Sequence, residues 1–68
     1  MYTSIHFASG VKVSIEGSAE EFDSTLARMG WGRGNPGGPL FFFPEHGTGQ
    51  QIGINPEHVA LARSVPTD

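Results

Sequence analysis

The chain has 68 residues, of which 37% are hydrophobic and 16% charged, and it contains no cysteine. Seven acidic and four basic residues give it a formal net charge of −3. The missing cysteine excludes a disulfide framework and a thiolate metal site, and no apolar run approaches the ~20 residues that span a bilayer. The basic residues are scattered singly, whereas a duplex-DNA binder usually carries them as a stripe. They are Lys12, Arg28, Arg33 and Arg63.

The length predicts one small domain, 1–68. A domain of about 60 residues buries only roughly 60% of its unfolded surface, so its stability is marginal. Small scaffolds usually compensate with disulfides, a metal or a partner chain. Because disulfides are absent and metal ligands are few, we expect association with another copy. The stretch Tyr2–Phe7 is too short for a signal peptide and lacks a basic lead, so we expect cytoplasmic residence.

The first 16 residues alternate apolar and polar side chains around a short glycine-containing turn at 8–10. Such period-two patterning predicts a β-hairpin with one buried face. The predicted buried face carries Thr3, Ile5, Phe7, Val11, Val13 and Ile15.

A helix is predicted over 19–29. Ser18 is a suitable N-cap, and Glu21 stands three residues later, which completes a capping box. Gly30 is a natural terminator. One apolar stripe at helical spacing should face the core. It consists of Phe22, Leu26 and Met29.

The segment 30–39 is rich in glycine and proline, so no regular element is expected there. Its G-x-G-x-x-G spacing formally matches a dinucleotide fingerprint, but it follows a helix and precedes a strand. We interpret the match as accidental, since the fingerprint needs the reverse order. Trp31, Arg33 and Asn35 form a candidate binding loop, because an indole and a guanidinium can stack on a ligand or a partner. The alternative is a plain connector with Trp31 packed on the edge of the core.

Two further strands are predicted, at Leu40–Phe43 and Gln51–Ile54. Because the first is apolar on both faces, both faces should be covered, yet one helix covers only one of them. We therefore predict that this strand forms an oligomer interface in a dimer or a ring. The predicted interface residues are Leu40, Phe41, Phe42 and Phe43. The alternative is that Trp31 and the glycine-rich loop fold over the second face.

The last segment allows two interpretations. We prefer one helical turn at 56–58, capped by Asn55, followed by a strand at about 59–64; the alternative is one short helix at 56–63. The predicted fold is therefore α+β, with a small antiparallel sheet of four or five strands. Its order is β-β-α-β-β plus a short last strand, with one helix on one face of the sheet.

The tripeptide Pro-Glu-His occurs twice, at 44–46 and 56–58, each time after an apolar strand. If both copies lie at the same end of the sheet, they and His6 bring imidazoles and carboxylates together, which are ligands for zinc. The spacing matches no established metal motif, and turn chemistry explains both copies. We therefore expect no metal or other cofactor. No nucleophile elbow accompanies the serines, so we expect no catalytic residue.

Three segments carry a resemblance to known sequences, namely Gly10–Val13, Ser18–Phe22 and Ile54–Ala60. In these the chain resembles a set of short, uncharacterised bacterial proteins, several of them actinobacterial, that end in an I-N-P-x-x-V-A phrase. The resemblance implies the β-β-α-β-β order and an extended conformation at 59–64. It implies no catalytic residue.

These patterns favour a non-enzymatic module that associates with itself and binds a macromolecular partner of unknown identity. The alternative is a small oligomeric nucleic-acid-binding regulator that gathers scattered basic side chains around a dimer or a ring. The net charge of −3 makes a nucleic-acid partner the weaker of the two hypotheses. No membrane partner is expected.

Overall fold

The computed structural model describes residues 1–31 and 40–67. In chain order its elements are β1 (Tyr2–Phe7), β2 (Lys12–Glu16), α1 (Ala19–Arg28), β3 (Phe41–Pro44), β4 (Gln51–Ile54), a turn of 3-10 helix (Pro56–His58) and β5 (Val59–Val65). The predicted α+β class and element order are confirmed. The last segment adopts the preferred form, a single turn followed by a strand, and the single short helix is excluded.

The five strands form two antiparallel sheets, where the sequence predicted one. The first has the order β2-β1-β5, and the second is the hairpin of β3 and β4. The sheets meet at the edge of β2 through one isolated bridge between Ile15 and Glu45 and through the His46 N–H, which donates to the Ser14 carbonyl at 2.9 Å. Pro44 has no backbone N–H, so it cannot donate a hydrogen bond that would extend the pairing between β3 and β2.

One face of the first sheet is buried and the other is open. Ile5 lies at the centre of the buried face, opposite Val13 on β2 and Ala62 on β5. The predicted alternation holds within the strands but fails at Val11. Strand β2 begins only at Lys12, so Val11 belongs to the turn and is 57% exposed.

The helix begins as its capping pattern predicts. The Glu21 N–H donates to Ser18 Oγ at 3.1 Å, and the Ser18 N–H donates to Glu21 Oε1 at 2.9 Å. Ser64 on β5 accepts from the Ala19 N–H at 2.8 Å, which fixes the start of the helix against the first sheet. The helix ends at Arg28, one residue earlier than predicted, and Met29 is 45% exposed at its C-cap instead of buried.

A single core joins the helix to both sheets. The rings of Phe22 on α1 and Phe43 on β3 lie 5.0 Å apart at a tilt of 55°, which ties the second hairpin to the helix. The buried apolar residues are Ile5, Ile15, Phe22, Leu26, Phe41, Phe43 and Ile54. Within the described residues, no helix is long and apolar enough to cross a membrane.

Candidate functional site

The outer face of the β3–β4 hairpin exposes two large apolar side chains. Leu40 is 50% exposed and Phe42 is 56% exposed. Phe42 lies opposite Gly53 on β4. A Cβ atom at residue 53 would stand 3.1 Å from Leu40 Cδ1 and 3.2 Å from Phe42 Cε2. The glycine therefore gives both side chains room to lie across β4, where they form one apolar surface.

The burial pattern of residues 40–43 reduces the predicted oligomer interface from four side chains to two. Phe41 and Phe43 point inward and belong to the chain's own core. Because alternate residues of a strand face opposite sides, only Leu40 and Phe42 remain within reach of a partner. The helix covers the inner face, as predicted.

A cleft of about 280 Å³ separates the start of α1 from β3. Its apolar lining consists of Ile15, Phe22, Phe42, Phe43 and Pro44. Its polar lining consists of Glu16, Gly17, Glu21, Thr25 and Gln51. Phe42 belongs both to this cleft and to the exposed hairpin face, so the two surfaces are continuous.

The two carboxylates make the cleft electronegative, and we call it the acidic cleft. Glu16 Oε1 lies 3.2 Å from His46 Nδ1, and Glu21 Oε1 accepts from the Ser18 N–H. Among the described residues each carboxylate is contacted through Oε1 and not through its second oxygen. No lysine or arginine lines the cleft, although Arg28 Nη2 donates to Thr25 of its lining. Apolar walls with free carboxylate oxygens at the rim suit a cationic group on an apolar stem.

A ring stack holds the rim of the cleft in place. His46, in the turn that follows β3, stacks on Tyr2 with ring centroids 4.3 Å apart and an interplanar angle of 12°. The same imidazole contacts Glu16. This stack therefore fixes the turn of the second hairpin on the edge of β2 and orients one carboxylate of the cleft.

The opposite end of the helix is basic and apolar. Arg28 Nη2 donates to Thr25 Oγ1 at 3.1 Å, Met29 is exposed, and Trp31 is 39% exposed. We call this surface, made of Arg28, Met29 and Trp31, the Arg28–Trp31 end. Of the predicted binding loop, the structure describes only Trp31. Arg33 and Asn35 lie outside the described residues, as do the glycines of the G-x-G-x-x-G spacing.

The three histidines lie apart. His46 is beside Tyr2 at one end of β1, whereas the His58 carbonyl accepts from the Ala8 N–H just past the other end. A six-residue strand spans about 17–20 Å, so the two Pro-Glu-His copies lie at opposite ends of β1, and the condition for a shared ligand site is not met. His6 Nε2 lies 3.2 Å from Ser4 Oγ. In the described part of the chain, no three metal-ligating side chains come together.

The open face of the first sheet carries two of the basic side chains. Lys12 lies opposite His6, and Arg63 lies opposite Ser4. Neither Lys12 nor Arg63 forms an ion pair with a described carboxylate. Glu16 also lies on the open face, opposite Tyr2, whereas the acidic first turn of the helix lies on the other side of this sheet, where Ser64 Oγ donates to Glu20 Oε1 at 3.4 Å.

Sequence reasoning missed the acidic cleft. It assigned Glu16 to the polar face of a strand and Glu21 to a helix cap, and both assignments are correct. No local sequence pattern predicts that the two carboxylates lie beside Phe42, because this proximity depends on the packing of the second hairpin against the start of the helix.

Comparison with protein-family models, with curated proteins and with solved structures found no match. The resemblance to short actinobacterial proteins therefore stays a prediction.

Proposed function

We propose that the protein is a non-enzymatic interaction module that associates with copies of itself through the outer face of the β3–β4 hairpin. The observation that carries this proposal is the exposure of Leu40 and Phe42 side by side on that face. Burying a side chain of this kind stabilises a contact by roughly 1.5–3 kcal/mol. A contiguous exposed apolar surface is typical of an interaction site.

The small size of the domain supports the same proposal. A chain of 68 residues has limited surface to bury within itself, and here two of its largest side chains in the second hairpin are left outside the core. A partner copy that covers them adds apolar burial that the single chain lacks. Association and stability should therefore rise together with protein concentration.

Light scattering coupled to size-exclusion chromatography tests the proposal over a range of concentrations. The wild-type protein should elute with the mass of two or more chains. Phe42→Ser should shift it to the mass of one chain, whereas Val11→Ser should not. Val11 is a matched control because it is equally exposed and apolar but lies in the turn between β1 and β2. A wild-type protein that stays a single chain at high concentration refutes the proposal.

Nucleic-acid binding is the second candidate function, and one observation favours it. Lys12 and Arg63 share the open sheet face with His6, while Glu20, Glu21 and Asp23 lie on the helix. Glu16, opposite Tyr2, is the carboxylate on this face, so two cations outnumber it there, and this local excess of positive charge would let the open face attract phosphates despite the net charge of −3.

Fluorescence anisotropy with a labelled single-stranded oligonucleotide tests this second candidate. Binding should be measurable at low salt, should weaken as salt rises, and should fall in a Lys12→Gln/Arg63→Gln variant. Gln50→Glu is the control because it lowers the net charge at an exposed position in the turn of the second hairpin, away from the open face. The absence of binding at low salt removes this candidate.

A further inference from the structure

We infer that the acidic cleft of one copy receives the Arg28–Trp31 end of the next copy, so that the chains associate head to tail. This inference rests on the proposed self-association and names the two surfaces that meet. Phe42 then packs against the apolar part of the incoming end, and the guanidinium of Arg28 reaches the carboxylates at the rim.

The chemistry of the two surfaces is complementary. The cleft offers apolar walls and two carboxylates, Glu16 and Glu21, each with one oxygen that no described donor occupies. The helix end offers one cation, Arg28, beside the exposed side chains of Met29 and Trp31. Among the described residues Arg28 donates only to Thr25, so most of its N–H groups are available. An arginine suits this site because its stem packs on apolar walls while its head pairs with carboxylates.

A symmetric contact between two hairpin faces lacks this complementarity. If Phe42 of one copy packed on Phe42 of another, the acidic rims of both clefts would enter the same contact. The contact would then contain two copies each of Glu16 and Glu21, and the cleft lining has no basic side chain to offset their negative charge. Like charges brought together across an interface oppose association, whereas the head-to-tail arrangement supplies a cation to each cleft.

The positions of the two surfaces fit a repeating contact. Residues 21, 22 and 25 of α1 line the cleft, and the Arg28–Trp31 end begins at the last residue of the helix. Thr25 lines the cleft and accepts from Arg28 Nη2 at 3.1 Å, so one copy carries both surfaces side by side along α1. Such a contact closes into a ring when the rotation between copies permits, and otherwise extends as a filament.

A charge swap tests the inference by sedimentation or light scattering. Glu16→Lys and Arg28→Glu should each raise the apparent dissociation constant by at least about tenfold, since each places like charges in the contact. The double variant Glu16→Lys/Arg28→Glu restores opposite charges in reversed order, and it should recover most of the wild-type association.

Two control variants separate the contact from net charge. Glu57→Lys and Arg63→Glu make the same changes in net charge at exposed positions outside both surfaces, and they should leave association unchanged. Circular dichroism checks that each variant is folded. If Glu16→Lys fails to fold, Glu16→Gln removes the charge while keeping the shape, and it should weaken association.

The outcomes distinguish the inference from the proposed function. Association that is lost in Phe42→Ser but unaffected by Glu16→Lys and Arg28→Glu overturns the head-to-tail contact and leaves self-association standing. Loss in both single variants without recovery in the double variant also overturns it. A wild-type chain that never associates refutes the proposed function and the inference together.

Discussion

His46 stacks on Tyr2 with their ring centroids 4.3 Å apart and their planes within 12° of parallel. Tyr2 belongs to the first strand of the three-stranded sheet, and His46 belongs to the turn of the separate two-stranded hairpin. The pair therefore joins the two sheets at a point where backbone pairing consists of a single bridge. The same imidazole contacts Glu16 at the rim of the acidic cleft, so the pair links the stability of the fold to the geometry of the candidate site.

Removing this stack should destabilise the protein. His46→Ala loses the ring contact, which is worth about 0.5–1.5 kcal/mol beyond its burial, together with the contact to Glu16. His46→Phe keeps a ring at this position and should recover most of the loss. Urea unfolding followed by circular dichroism measures both changes, and Gln50→Ala in the same turn serves as a neutral control. Equal stability of His46→Ala and the wild type would show that the stack contributes nothing.

Adding one methyl group at Gly53 should disturb the exposed hairpin face. The new Cβ would lie 3.1 Å from Leu40 Cδ1 and 3.2 Å from Phe42 Cε2, so both side chains would have to move. The fold should tolerate Gly53→Ala, because the atoms that move are the ends of exposed side chains. Self-association should weaken, and light scattering with a thermal melt separates the two effects. Unchanged association would mean that the arrangement of Leu40 and Phe42 over β4 does not matter for the contact.

The capping box should stabilise the start of the helix. Ser18→Ala removes the side-chain acceptor of the Glu21 N–H and should lower the free energy of unfolding by about 1 kcal/mol. Ser24→Ala is the matched control, because Ser24 is exposed within the same helix and alanine has the higher helix propensity. It should leave stability unchanged or raise it slightly. A loss of equal size in both variants would contradict a specific role for the cap.

Local features were predictable because their causes lie within a few residues. The helix start depends on Ser18 and Glu21, three positions apart, and both bonds of the capping box form. The turn at 56–58 depends on Asn55, whose Oδ1 accepts from the Glu57 N–H at 3.0 Å. Alternation also identified the strands. The same patterns predicted element ends that are too long, because Val11 and Met29 continue the apolar series but lie just outside β2 and α1.

Features that depend on contacts between residues distant in the sequence could not be predicted from local patterns. The apolar run 40–43 indicated two covered faces, but only packing against Phe22 decided that Phe43 lies inside and Phe42 outside. The repeated Pro-Glu-His tripeptide suggested one shared location, yet the pairing of β5 with β1 carried His58 to the opposite end from His46. Identical local sequences were separated because different long-range contacts hold them.

The sequence by itself determined the elements of this protein, their order and the inward face of most of them, since these depend on capping, turn chemistry and periodicity over neighbouring residues. Only the tertiary structure decided that the strands divide into two sheets and that Glu16, Glu21 and Phe42 surround one cleft. Those outcomes depend on which surfaces meet once the chain is folded, and the burial of one common core, not any local preference, selects among the arrangements that the same elements allow.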